Sequence, residues 1–139
     1  MRKYAAMTAV VLALALAGCT PARGILADAA AQGRSAVRTA ELALETEADG
    51  RAGFGVVPTA LADAERELED AAATAVEASA GTASERDLRA ETLTALRAGQ
   101  DAVAAAQQSL DGLEFAETAA DELATAGNTL DELATAGGQ

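Results

Sequence analysis

The sequence predicts an all-α protein: an antiparallel three-helix bundle with a short C-terminal helical extension. Three observations predict it. Ala, the best helix former, and the strong formers Leu, Glu, Arg and Gln dominate the chain, while aromatic residues make up only 2% of it. Small and apolar residues recur in alternating steps of three and four, which places them on one stripe of a helix. Glycine and proline cluster over 50–58, and Gly81 followed by the cap residues Thr82 and Ser84 makes a second break, so the chain divides into long helical stretches.

The first helix is expected over about 24–48. Leu26, Ala30, Gly33, Val37, Ala40 and Leu44 form its inner stripe. Arg34, Arg38, Glu41 and Glu45 succeed one another in steps of four, three and four, and the Arg38–Glu41 step brings opposite charges to a helix-neighbour spacing that supports an isolated helix. Gly50 is its stop. Three glycines and Pro58 within residues 50–58 then make a turn. Gly50, Gly53 and Gly55 do not read as a phosphate loop, because no strand precedes them and no lysine follows. Phe54, Val56 and Val57 give this turn an apolar tip, expected to fold back on the bundle end.

The second helix is expected from Thr59, an N-cap after Pro58, to about Ala80. Leu61, Ala64, Leu68, Ala71, Ala75 and Ala78 are its stripe, and Asp63, Glu65, Glu67, Glu69 and Asp70 lie opposite. Gly81 ends it. Thr82 with Glu85, or Ser84 with Asp87, can form a capping box for the third helix. That helix is expected over 84–110, with Leu88, Thr92, Ala95, Gly99, Val103, Ala106, Leu110 and Leu113 in one stripe that Leu93 and Leu96 widen. Whether it bends or breaks at Gly112 is left open by the pattern, since Asp111 with Glu114 can cap a restart. In the tail, Asp121–Gly127 recurs as Asp131–Gly137. Each copy reads as a turn or two of helix stopped by its glycine, so residues 111–126 are expected to be an extension or a fourth helix and residues 127–139 a frayed acidic helical tail.

The N-terminus carries a different message. Arg2 and Lys3 precede an uncharged run, Ala5–Ala17. This is the positive start and apolar stretch of an export signal, too short for a membrane span of about 20 residues. It ends in Leu16-Ala17-Gly18-Cys19, which resembles the lipobox of bacterial lipoproteins. The resemblance covers residues 1–19. It implies removal of 1–18 and S-diacylglycerol and N-acyl modification of Cys19, followed by a short linker over 19–23 and a helical bundle over 24–126. Two or three acyl chains anchor stably where one does not, each buried CH₂ contributing about 0.8 kcal/mol. The implied location is the extracytoplasmic face of a membrane.

Composition narrows the chemistry. Loss of Arg2 and Lys3 takes the formal charge from −12 to −14, which repels nucleic acid and anionic membrane surfaces. Basic residues cluster early, at Arg23, Arg34 and Arg38, and none follows Arg97. There is no His and only one Cys, so no internal disulfide, zinc set, Glu-x-x-His motif or nucleophile–His pair can form. Carboxylate pairs such as Glu65 and Glu69, Glu67 and Asp70, and Asp121 and Glu122 are abundant. Acid–base catalysis also needs a pocket that shifts a pKa, which a thin bundle does not offer.

No cofactor, metal ligand or catalytic residue is expected, and Cys19 is the one modified site. The reading that follows is a lipid-anchored envelope protein acting as a non-enzymatic adaptor or spacer. It binds an envelope protein partner and leaves an apolar strip exposed on one helix. The alternatives are a small-ligand or divalent-cation-binding lipoprotein and a surface-shielding or exclusion lipoprotein.

Overall fold

The computed structural model describes residues 21–53, 55–110 and 116–138. Four helices fill it: α1, Ala22–Ala48; α2, Val56–Glu77; α3, Ala83–Ser109; and α4, Ala116–Gly137. They form an all-α bundle in which each helix runs back along the one before. Contacts made by residues far apart in sequence fix the directions. Arg23 near the start of α1 donates to Ser84 Oγ near the start of α3, so α1 and α3 run parallel. Gly137 at the end of α4 packs on Ala27 near the start of α1, so α4 runs antiparallel to α1. Neighbours around the bundle are α1–α2, α2–α3, α3–α4 and α4–α1, and α1 also touches α3 across the diagonal.

The expected helix boundaries need one main correction. The C-terminal segment is a full fourth helix, not a short extension or a frayed tail. Gly127 was expected to stop it and instead lies inside it. Ala119, Leu123, Ala126 and Leu130 hold the three-four rhythm straight across Gly127, and Leu123 and Leu130 are fully buried. Burying a leucine stabilises by about 1.5–3 kcal/mol, which exceeds the roughly 1 kcal/mol helix cost of one glycine. The repeated segment also shows why equal sequences take unequal places. Ten residues make about 2.8 turns, so the second copy is rotated by roughly a quarter turn. Leu123 lies in the core whereas Leu133 is only half-buried.

α1 is the central helix. Its expected stripe is buried throughout, and a second stripe of Ala29, Ala36 and Ala43 is buried beside it. Alanine on that second face lets two further helices approach closely. The helix ends in a Schellman motif. Gly50 adopts φ 67°, its N–H donates to Glu47 O at 2.8 Å, and Arg51 N–H donates to Thr46 O at 2.9 Å.

α2 begins three residues earlier than expected, after Gly55 at φ 82°. Pro58 is therefore in the first turn, where its missing N–H has no helix partner to lose. Thr59 does not cap; its hydroxyl donates back to the Gly55 carbonyl at 2.8 Å. The α2 stripe is buried as expected, with Val57 added to it. Of the apolar turn tip, Val57 is buried and Val56 is exposed, while Phe54 lies outside the described residues.

Of the two possible capping boxes before α3, the chain uses Thr82 with Glu85. Glu85 N–H donates to Thr82 Oγ1 at 3.2 Å, and Thr82 N–H donates to Glu85 Oε2 at 2.9 Å. The Thr82 backbone bond, then the Thr82 hydroxyl and Gly81 N–H, hold the Glu85 carboxyl below its ordinary value. The inner stripe of α3 contains one polar residue with no exposure, Thr92. Its hydroxyl donates to the Leu88 carbonyl at 2.8 Å, so the core carries no unsatisfied group there.

Candidate functional site

Cys19, the one expected modification site, lies outside the described residues, as do Asp111, Gly112 and Glu114. No described helix is long and apolar enough to cross a membrane. Among the described residues no three Asp, Glu, Cys or His side chains gather as a metal-binding group. The carboxylate pairs picked out in the sequence go to separate places. Glu65 accepts from Gln107 Nε2 at 3.0 Å across the α2–α3 seam, and Glu67, Glu69 and Asp70 are exposed on the outer face of α2. Asp121 and Glu122 line a concave surface.

That surface is a groove between α3 and α4 with a volume of about 1110 Å³. Its floor is built from the buried Ala95 and Ala102 of α3, the buried Ala126 of α4 and the half-buried Leu133. Ala90, Thr94 and Ala98 form one wall, and Thr125, Thr129 and Ala136 the other. The groove exists because the side chains along this seam are short. Ala and Thr do not fill the space between two helices that Leu would fill. On α4 the lining runs from Thr118 to Ala136, about 27 Å at 1.5 Å per residue.

The charge of the groove has one sign. Glu91 and Asp101 of α3 and Asp121, Glu122 and Glu132 of α4 line it, with no basic residue among the lining. None of these five carboxylates has an ion-pair partner among the described residues. The other seam of α4 differs. There Asp131 pairs with Arg34 of α1 at 2.5 Å, and Arg38 of α1 lies beside Gly127. Arg34 thus places a cation on the α1–α4 seam, whereas the lining of the α3–α4 seam has none.

The threonines add a second property. Thr94, Thr125 and Thr129 donate their hydroxyl hydrogens to the carbonyls of Ala90, Asp121 and Thr125, four residues back in their own helices. What they present to the groove is a methyl group and an oxygen lone pair. Ionised carboxylates also only accept. These side chains therefore offer apolar contact and hydrogen-bond acceptors, with no donor of their own.

Sequence reasoning missed this groove because it stopped the last helix at Gly127, leaving 111–126 as an extension or a fourth helix and 127–139 as a tail. The signal was present in the steps Thr118, Asp121, Thr125 and Thr129, a row of short side chains on one face of that helix. The exposed apolar strip expected on one helix is absent among the described residues: the exposed large apolar side chains are Leu42 on α1 and Val56 and Val76 on α2, and single exposed residues of this kind are ordinary. The chain matches no family model, no curated protein and no solved structure.

Proposed function

We propose that the protein is a lipid-anchored adaptor of the cell envelope that holds a partner protein close to the membrane without catalysis of its own. The observation that carries the reading is the α3–α4 groove: a long surface with an apolar floor and an acidic rim. The anchor rests on the lipobox-like Leu16-Ala17-Gly18-Cys19. Ala22, the first residue of α1, comes three positions after Cys19. Acyl chains on that cysteine would hold the end of the bundle that carries the starts of α1 and α3 at the bilayer. The 27-residue α1 then spans about 40 Å at 1.5 Å per residue.

Crosslinking in native membranes tests the reading, with Cys19→Ala beside the natural chain. The expected result is one stoichiometric protein partner that disappears with Cys19→Ala, together with loss of the protein from the membrane fraction. Membrane retention unchanged by Cys19→Ala overturns the anchor. An abundant membrane-held protein without any partner overturns the adaptor.

A further inference from the structure

We propose that the α3–α4 groove receives a cationic amphipathic helix from the partner protein. This inference rests on the adaptor reading and names the chemistry of what the adaptor holds. Three features of the groove select that occupant. Its length, about 27 Å along α4, matches a helix of some 18 residues. Its floor of alanines and Leu133 lets another helix approach to about 8–10 Å between axes and buries one apolar face, as in other helix-in-groove complexes. Its rim is rich in acceptors: Glu91, Asp101, Asp121, Glu122 and Glu132 lack ion-pair partners among the described residues, and the hydroxyls of Thr94, Thr125 and Thr129 donate within their own helices. Lys and Arg only donate, so a helix with an apolar face flanked by Lys and Arg meets both needs at once.

A second copy of this chain is a poor occupant, since its formal charge is −12 and like-charged surfaces repel. An anionic membrane surface is repelled for the same reason. The rim attraction is screened by salt and acts mostly on the rate of encounter. The floor supplies the affinity that remains when salt is raised.

The test uses the full chain purified from membranes in a non-ionic detergent. The probe is a fluorescein-labelled amphipathic peptide of about 18 residues with Leu and Ala on one helical face and Lys on the other, followed by fluorescence anisotropy. One variant, Ala98→Phe, fills the groove without changing charge, and Ala98 is exposed, so the bundle has room for it. A second, Glu91→Lys with Asp121→Lys and Glu122→Lys, reverses the rim. A third, Glu67→Lys with Glu69→Lys and Asp70→Lys, makes the same charge change on the outer face of α2. Circular dichroism verifies that each variant is folded. The first two are expected to weaken binding tenfold or more, equivalent to about 1.4 kcal/mol, and the third by no more than about twofold.

Equal weakening by the second and third variants overturns the proposal, because it shows diffuse attraction. So does unchanged binding by Ala98→Phe, or no binding to the natural chain. The adaptor reading is judged separately by the crosslinking experiment. A captured partner indifferent to Ala98→Phe removes the groove proposal and leaves the adaptor standing.

Discussion

Gly33 on α1 sits directly beneath the side chain of Leu96 on α3, so close that a Cβ at position 33 would overlap Leu96 Cδ2. The relationship is reciprocal. Gly99 on α3 receives Val37 of α1, where an added Cβ would stand 3.2 Å from Val37 Cγ2. Two glycines, each under a side chain of the other helix, let α1 and α3 meet across the diagonal of the bundle. Val37 and Leu96 both have no exposure, so neither can swing into solvent to make room.

Gly33→Ala is therefore expected to destabilise the protein despite alanine's better helix propensity. Overpacking costs about 1–3 kcal/mol, against a propensity gain of about 1 kcal/mol. The sign should reverse when Leu96 is shortened. In a Leu96→Ala background, Gly33→Ala meets only Leu130 and Leu68 at 3.4 and 3.5 Å, ordinary contacts, and should then stabilise by up to about 1 kcal/mol. Urea denaturation of the four proteins gives the coupling energy. If the effect of Gly33→Ala is the same in both backgrounds, the knob and the hole are not partners.

Thr82→Ala should cost about 1 kcal/mol through loss of the cap on α3. The partner Glu85 adds a pH dependence. Its carboxyl is held below its ordinary value in the folded protein, so its contribution is fully present above the unfolded value of about 4.3 and is lost as pH falls through the lower folded value. The stability gap between the natural chain and Glu85→Gln should then be constant near neutral pH and close as acid is added below about pH 4.3. Thermal melts at a series of pH values would show this, and a gap that widens in acid would mean the capping bonds do not favour the ionised form.

Salt should raise the melting temperature. The chain carries 22 acidic and 10 basic residues, and α4 has no basic residue at all. The ion pairs present are surface pairs such as Arg66 with Asp63 and Arg38 with Glu41, each contributing about 0–1 kcal/mol. Self-repulsion of the excess acid is the larger electrostatic term. Raising ionic strength from about 0.01 to 0.15 M shortens the screening length from about 30 to 8 Å and relieves it. A melting temperature that falls over this range would show that the few ion pairs outweigh the repulsion.

Particular residues show what the sequence made legible. The stripes of α1, α2 and α3 could be read because apolar spacing alone dictates which face of a helix turns inward, and Leu26, Leu61, Leu68 and Val103 all lie there. The stop at Gly50, and a capping box just after Gly81 led by either Thr82 or Ser84, follow from local backbone chemistry that needs no tertiary contact. The start of α2 did not, because Thr59 after Pro58 is an equally good local cap and the choice of Gly55 depends on burying Val57. Gly127 misled for the same reason. A glycine reads as a stop until the surface on which its helix packs is known, and that surface, Val37 of α1, lies far away in sequence. The groove was invisible because it is made by two helices, one of which the pattern carried only as far as Gly127, and its property is the absence of large side chains.

The fourth helix gives the sharpest test of the architecture. Leu130 has no exposure and lies over Gly33 in the same layer as Leu68 and Leu96. If α4 is an integral helix, Leu130→Ala should cost about 2–5 kcal/mol, the range for a leucine removed from a packed core. If residues 128–139 were a frayed tail, the same change should fall within about 0.5 kcal/mol, as for a surface position. Exposed Thr129 is the control, since Thr129→Ala on the same turn removes a side chain that faces the groove and should cost well under about 1 kcal/mol. Chemical denaturation of both variants decides the matter. A large loss for Leu130→Ala with little change for Thr129→Ala shows that one face of this segment is core. Equal small losses would return the protein to three helices, and with the fourth helix would go the α4 wall of the acidic groove.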